Sequence, residues 1–518
     1  MGIPSYFVHI VKNHGNIIKK FKKTDINIDN LYIDSNSIVY DGIRELEYKS
    51  NNMIFENKLI NWVCEKIVYY INIINPSQNV LIAFDGVAPV AKLEQQRNRR
   101  YKTWYTNNFI SDGLNNNETW DTTAITPGTK FMDKLYKGIQ KYFENRFNNI
   151  NIILSGSQSC GEGEHKIYKH IRDNEEYHRK TNSIIYGLDA DLIMLTLIHT
   201  KISENLYLFR ETPYFITSID SSLVPDQHYV LDIYELGVKL NEEMTNDPKK
   251  DCILDYIFLC FFLGNDFMPH FPALNIRTNG INILLETYHN LFKSETIINK
   301  GKINWKNLKK LVQELSKNEI NYCEHEMKLK NKSEKRFKHR QFKTKLDELT
   351  MLPMYDRKVE KYINIGEDGW QERYYKELFG IEINDERKKQ ICVNYLEGLE
   401  WNLKYYTTDC PDWQWSYKYK YPPLLEDLYK YIPYFDTQFI ENKLEEPVDP
   451  LVQLAYVLPR NSLDLLPDKI YKQLILEHPE WYMLDYNILW SYCKYFWEGH
   501  IVLPHIDINK LKIICNNK

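Results

Sequence analysis

At 518 residues the chain is long for a single hydrophobic core, so two or more regions sharing an interface are expected. Hydrophobic content of 43% with 26% charged residues is ordinary for a folded protein, and a net charge of −4 excludes a general polyanion-binding surface. Any nucleic-acid contact must therefore come from local basic patches. Nine cysteines without a CxxC spacing argue against both a disulfide framework and a zinc module. No apolar run reaches membrane-spanning length and no signal-peptide core opens the chain, which leads us to expect a soluble intracellular protein with no membrane partner. Gly2 invites a myristoylation reading, but Tyr6 stands where that motif needs Ser or Thr. Heavy use of Asn, Ile, Lys and Tyr points to an AT-rich genome and says nothing of activity.

In chain order, MGIPSYFVHIVKNHG reads as a short amphipathic helix after an extended start. LYID ends a strand at Asp34, residues 56–73 carry helical periodicity, and NVLIAFDG at 79–86 is the next strand. Pro89 sits where a helix begins, because its missing N–H costs nothing in a first turn. Residues 106–123, rich in Asn, Asp and Thr, read as a mobile loop. Helix 128–147 leads to strand 151–154, the GEGEHK turn and helix 164–173; strand 183–188 gives way to helix 191–199. This βα alternation predicts an α/β fold with a mostly parallel central sheet and helices on both faces.

The texture changes after about residue 290. Residues 302–345 carry about fourteen Lys/Arg against about five acidic residues, a pattern of a solvated helix face or a disordered insert. From 368 onward the chain is aromatic-rich and mostly helical in pattern, densest at WQWSYKYKYPP (413–423). We therefore divide the chain into a catalytic region at 1–290, a basic linker at 291–367 and a second, aromatic-rich helical region at 368–518.

Seven carboxylates in five short stretches carry the chemistry: Asp34, Asp85, Glu162 with Glu164, Asp189 with Asp191, and Asp266. Each has a bland alternative, since an Asp at a strand end also caps the next helix, as Asp191 before LIMLTL would. In an open parallel sheet, however, residues just past the carboxyl ends of strands meet in one crevice. Carboxylates gathered there repel one another unless cations share the site. Without Cys or His the donors are hard oxygens, which suit two Mg²⁺ or Mn²⁺ ions and metal-assisted phosphodiester hydrolysis. We assign Asp34, Asp85, Glu162 and Glu164 mainly to one ion and Asp189, Asp191 and Asp266 to the other. If a helix starts at Pro89, then Lys92, Gln96, Arg99 and Arg100 share one face beginning a turn from Asp85, a site for a terminal phosphate. Tyr40, Trp413 and Trp415 are candidate stacking platforms for single-stranded bases, although such aromatics are more often core.

With these residues assembled, the chain resembles the XRN family of 5′→3′ exoribonucleases. The resemblance runs through MGIPSYF, LYIDSNSIVY, DGVAPVAKLEQQRNRRYK, ITPGTKFM, GEGEHKIYKHIR, YGLDADLIML and FLGNDFMPHFP, and continues in EGLEWNLKYY, WQWSYKYKYPP, LVQLAYVLPRNSLDLLP and IVLPHIDINKL. A lone GEGEH would also suit the wider flap-endonuclease-like superfamily. The resemblance implies a PIN/flap-endonuclease-like nuclease core that removes nucleotides processively from 5′-monophosphorylated single-stranded RNA with Mg²⁺. It matches all seven acidic positions to metal ligands, and Lys92, Gln96, Arg99 and Arg100 to the 5′-phosphate pocket. Tyr40 stands where the family stacks a His, and Trp415, with Trp413 next, matches its partner Trp. Val90 replaces a frequent Arg, and the chain stops after the second conserved region, which leaves decapping or decay partners unassigned. A monomer acting in cytoplasmic RNA decay is expected, with the nucleus as the other compartment. The rival readings are a DNA flap endonuclease and a catalytically inactive RNA-binding scaffold.

Overall fold

The computed structural model describes residues 2–22, 27–49, 51–111, 120–225, 227–247, 249–337, 340–443 and 445–516. Its centre is a seven-stranded sheet of β1 (Ile18–Lys20), β2 (Asn30–Asp34), β3 (Asn79–Ala83), β4 (Asn151–Ser155), β5 (Ser183–Tyr186), β6 (Leu206–Glu211) and β7 (His228–Asp232). The order across the sheet is β1-β7-β6-β5-β2-β3-β4; the run from β6 to β4 is parallel, and β7 and β1 close one edge antiparallel. The chain enters the parallel part at β2, adds β3 and β4 on one side and then crosses to β5 on the other. That reversal opens a crevice at the carboxyl ends of β2 and β5, where ligands bind in folds of this kind.

Alternation along the strands sends neighbouring side chains into two different cores. Leu31, Ile33, Val80 and Ile82 pack under α2 (Asn36–Glu45), α3 (Asn52–Ile74) and α5 (Lys130–Phe143). Tyr32, Leu81, Ile185 and Leu208 face the opposite way, against α1 (Tyr6–His14), α6 (Gly163–Asp173) and α8 (Asp191–His199). Strands covered on both faces read as continuous apolar runs, which is why NLYID is buried at every position. The second core continues without a break into the helix Asp385–Thr407, through Tyr395, Leu399 and Trp401. A third cluster packs Val87, Val90 and Leu93, at the start of α4 (Val90–Ser111), against Val452, Leu454, Ile506 and Leu511.

One sequence expectation needs correction, and one pair of alternatives is resolved. The polar stretch 106–123 is helical through Ser111 as the end of α4, and residues 112–119 lie outside those described. The basic segment 302–345 is not an insert without structure: Trp305–Lys317 buries Trp305, Leu308, Leu311, Val312 and Leu315, and Glu319–Phe337 continues as a second helix. Most lysines of Trp305–Lys317 mask that apolar stripe because they occupy the opposite face; Lys309 turns inward, donating from Nζ to Ile432 O at 2.7 Å. The region after 368 is mainly helical, as expected, with irregular chain and an antiparallel pair, Asn487–Leu489 with His500–Val502, between its helices. No helix among the described residues is long and apolar enough to cross a membrane. All nine cysteines are free.

Candidate active site

The strand register brings the first two carboxylates together. Asp34, the last residue of β2, is paired with Ala83 at the end of β3, and Ser35 N–H donates to Ala83 O at 2.9 Å. Asp85 follows two residues later. Asn36 clamps it from both sides, donating from Nδ2 to Asp85 Oδ2 at 2.5 Å and accepting the Asp85 backbone N–H at 3.2 Å. The third support is Gly163 N–H, 2.7 Å from Asp85 Oδ1. A Cβ on Gly163 would stand 2.6 Å from Asp34 Oδ1 and 3.5 Å from Asp85 Oδ1, so only glycine lets this turn approach both acids.

The GEGEHK turn supplies the next pair. Glu162 occupies the cap position of α6 without forming a side-chain capping bond, and Glu164 lies in the first turn, where the helix dipole favours negative charge. Lys166, one position further on than His165, ties the turn to the sheet by donating to Phe84 O and Gly156 O at 2.8 Å each. Asp191 is the first residue of α8 and not its cap, so the capping alternative for it fails. Asp266 is delivered by a turn after Gly264, whose φ of +79° ends the preceding helical segment, with Asn265 Oδ1 accepting the N–H groups of Phe267 and Met268. Asp189, the most exposed of the seven, still lies close enough to raise the pKa of Asp34.

Lys92, at the start of α4, reaches into this cluster: its Nζ lies 2.6 Å from both Glu162 Oε1 and Asp266 Oδ2. Gln95 adds a hydrogen bond to Asp266 Oδ1 at 3.2 Å. The sequence reading placed Lys92 in the phosphate grip and did not single out Gln95. The arrangement instead puts the ammonium between carboxylates, where burial and like-charge repulsion demand a counter-ion.

Electrostatics shows how strong that demand is. Burial, then the charges of Asp85, Asp189 and Glu162, raise Asp34 well above its ordinary value. Burial and Asp191 do the same to Glu164, while burial and Glu162 raise Asp85. Burial, with Asp266 adding to it, pushes Asp191 up to about 7. Burial opposes charge on Asp266 as well, but nearby cations, Lys92 first among them and Arg99 further off, together outweigh it and hold that carboxyl below its usual range. Nearby cations bring Asp189 and Asp266 below their usual range and leave Asp34, Asp85, Glu164 and Asp191 raised. Oxygen-only donors at this density fit divalent cations, which would let every carboxylate ionise. Ligand atoms of Glu162, Glu164 and His165 come within 4.8 Å of one another; Asp34 and Asp191 lie close enough to raise Glu164, and Asp85 close enough to be raised by Glu162. His165 was not foreseen; burial and the charge of Lys92 keep its ring neutral, at about 3. The acids assigned to the two ions influence one another across that division: Asp191 is the strongest carboxylate influence on Glu164, and Asp34 feels Asp189 as well as Asp85.

Beyond Lys92, α4 keeps part of the expected face. Arg99 is exposed near Asp266, and Arg100 lies beside Tyr40 and Asp121. Burial lowers Arg100 to about 10; its Nη1 and the Oε1 of Gln96 are buried without a hydrogen-bond partner in the described structure. Such orphaned polar atoms are costly and suit a polar ligand. The two candidate indoles differ in burial, and Trp415 is the buried one. It is 7% exposed, lies parallel to Trp401 at 5.2 Å between centroids, and so has a core partner on one face. Trp413 is the partly exposed indole, with its carbonyl accepting Val90 N–H at 3.0 Å. Val90, expected to weaken a grip on the backbone, is packed in the third core.

Two residues near the end of a long helix complete the surroundings. Tyr405 OH donates to Glu162 Oε2 at 2.9 Å and Tyr406 OH to Asp191 Oδ1 at 3.0 Å. They fall within EGLEWNLKYY, a stretch whose chemistry gives no hint of the acids, because the partners lie more than two hundred residues away.

A parallel sheet whose strand ends gather oxygen ligands beside basic side chains defines a nuclease-like α/β protein with a donor set that suits divalent cations. A family model described as the XRN 5′-3′ exonuclease N-terminus matches residues 1–212, and one described as the Xrn1 helical domain matches 248–360 and 353–515. The chain belongs to the XRN 5′→3′ exonuclease family. It is 27% identical to 5′-3′ exoribonuclease 2 of Arabidopsis thaliana, with 93% of this chain and 62% of the relative covered. It is equally similar, at 27%, to 5′-3′ exoribonuclease 1 of Saccharomyces cerevisiae, covering 99% of this chain and 43% of the relative, and to that of Homo sapiens, covering 99% and 34%. The chain thus spans less than two thirds of the length of each of these three relatives.

Proposed function

We propose that this protein is a processive 5′→3′ exoribonuclease that degrades 5′-monophosphorylated single-stranded RNA to nucleoside 5′-monophosphates, acting in RNA decay. The observation that carries the reading is the convergence of acids from five separate stretches around Lys92, next to a basic helix face with unpaired polar atoms. Asp34, Asp85, Glu162, Glu164, Asp189, Asp191 and Asp266 would hold two divalent ions, Mg²⁺ or Mn²⁺. Such ions, when bound, supply an activated water and charge for the leaving oxygen.

The chain's own residues do the positioning. Gln96, Arg99 and Arg100 grip the terminal phosphate, and Lys92 exchanges its carboxylate partners for that phosphate once cations neutralise the acids. Tyr40 and Trp413 offer aromatic faces to the leading bases, so that the first internal phosphodiester lies over the acids. Cleavage exposes a new 5′-phosphate that takes the place of the old one, so each turnover regenerates the substrate. The region 1–290 is the catalytic one in this account, 291–367 a basic connector, and 368–518 the wall of the channel. The experiment is to give the purified protein end-labelled RNA bearing 5′-monophosphate, 5′-hydroxyl or a cap, together with DNA flaps, with and without Mg²⁺. Mononucleotides released from 5′-monophosphate RNA only when Mg²⁺ is present are the expected outcome. Equal rates on capped RNA, or internal cuts in flaps, would refute it.

A further inference from the structure

The helix Asp385–Thr407 ends inside the acid cluster, and its last turn is held with unusual firmness. Tyr405 lies parallel to Trp401 at 4.6 Å between centroids, meets His165 at 3.9 Å and takes Phe267 edge-on at 5.3 Å. Tyr406 packs edge-on against Phe261 at 5.3 Å. Both rings are buried, and each hydroxyl donates to a carboxylate. Consecutive residues on a helix point about 100° apart. This divergence lets one turn serve two acids on different elements: Glu162 before α6 and Asp191 at the start of α8. On the same helix, Asn402 Oδ1 accepts Asn265 Nδ2 at 2.8 Å, fixing the turn that carries Asp266.

We propose that Tyr405 and Tyr406 are positioning residues of the metal centre, orienting Glu162 and Asp191 so that their remaining lone pairs face the ions. Docking of the helical region and divalent-cation affinity are then one equilibrium. The second half of the chain, by this inference, shapes the ligand set itself as well as lining a channel. Partners that orient ligands in this way typically change metal affinity about 10–100-fold when removed. The inference rests on the metal-dependent reading above and extends it to residues that touch neither substrate nor ion.

The test is Mn²⁺ binding to the full chain by calorimetric titration, without RNA, for wild type, Y405F, Y406F and Y395F. Tyr395 is the control: it is buried on the same helix, and its hydroxyl donates to Pro269 O at 3.4 Å, not to an acid. Y405F and Y406F should each weaken Mn²⁺ affinity about 10-fold or more, with Y395F within about two-fold of wild type. Melting in EDTA and again in Mn²⁺ gives a second readout for any variant too unstable to titrate. The Mn²⁺-induced rise shrinks if the hydroxyls act on the ions, and stays equal to wild type if they only support the fold. Wild-type affinity and an undiminished rise in both variants would overturn the role of the tyrosines alone. Wild type that binds no Mn²⁺ would overturn the metal reading beneath it, and the inference with it.

Discussion

Asn36 holds Asp85 at two points, its amide nitrogen 2.5 Å from Oδ2 and its carbonyl oxygen 3.2 Å from the Asp85 backbone nitrogen. The pairing links the carboxyl ends of β2 and β3 and leaves the acid no freedom to swing away from Asp34. Asn36→Ala removes both bonds from a site where Gly163 alone cannot fix the carboxylate. We expect kcat/KM on 5′-monophosphate RNA to fall about 10–100-fold, as for other residues that orient metal ligands, with partial recovery at raised Mg²⁺. Steady-state kinetics across Mg²⁺ concentrations checks this; a variant with normal kcat/KM at low Mg²⁺ would contradict it.

The two indoles should separate cleanly. Trp413→Ala is expected to raise KM for RNA by roughly 5–100-fold, from about 1–3 kcal/mol of stacking, while leaving the melting temperature nearly unchanged. Trp415→Ala instead opens a hole beside Trp401 and should cost about 3–5 kcal/mol of stability. Melting curves beside KM values decide between them, and reversed phenotypes would return the stacking role to Trp415.

Stability should fall with pH in the absence of metal. Burial pushes Asp191 up to about 7 and moves Asp34, Asp85 and Glu164 in the same direction. A carboxyl raised in the folded state contributes stability in full below its unfolded value of about 4, and that contribution is lost as pH rises through the folded value. In EDTA the protein should therefore melt lower at pH 8 than at pH 6. Mg²⁺, which takes the place of those protons, should lift the pH 8 melt more than the pH 6 melt. Calorimetry at the two pH values tests the sign, and a larger Mg²⁺ effect at pH 6 would refute the assignment.

Gly2 is buried against Asp191, and a Cβ there would stand 2.1 Å from Asp191 Oδ1, with φ already at +49°. Gly2→Ala must displace either the N-terminal segment or the acid. A loss of activity of at least about 10-fold, with weakened Mn²⁺ binding, is the expected result. Full activity in G2A would show that Asp191 does not need its present position.

Arg97 shows how the end of the chain is tied to the site. It is 1% exposed, donating from Nη1 to Pro504 O at 2.8 Å and from Nη2 to Trp481 O at 3.0 Å. Arg97→Met keeps much of the volume but strips the buried Trp481 carbonyl of its donor, at about 1–3 kcal/mol, and the half-buried Pro504 carbonyl as well. A lowered melting temperature with unchanged Mn²⁺ affinity is expected, and calorimetry on the variant measures both.

Much of the sheet and the acids was legible because both depend on local pattern. A β-branched run that stops at Asp34, or GEGEHK before an amphipathic helix, declares a strand end or a helix start whatever lies elsewhere. Strand order was not legible, since apolar strands of equal length pair equally well on paper and only the packed helices choose among them. Nor was the orientation of Lys92, which side-chain spacing placed on a phosphate face but which the field of Glu162 and Asp266 draws inward. Trp415 and Trp413 look alike as neighbours in a string; burial separates them, because Trp401 takes up a face of the first. Local pattern along the chain suffices for the acidic strand ends and the basic helix. Which tyrosines, asparagines and glycines hold those acids in register follows from packing, because contacts across hundreds of residues leave no periodic trace in the sequence.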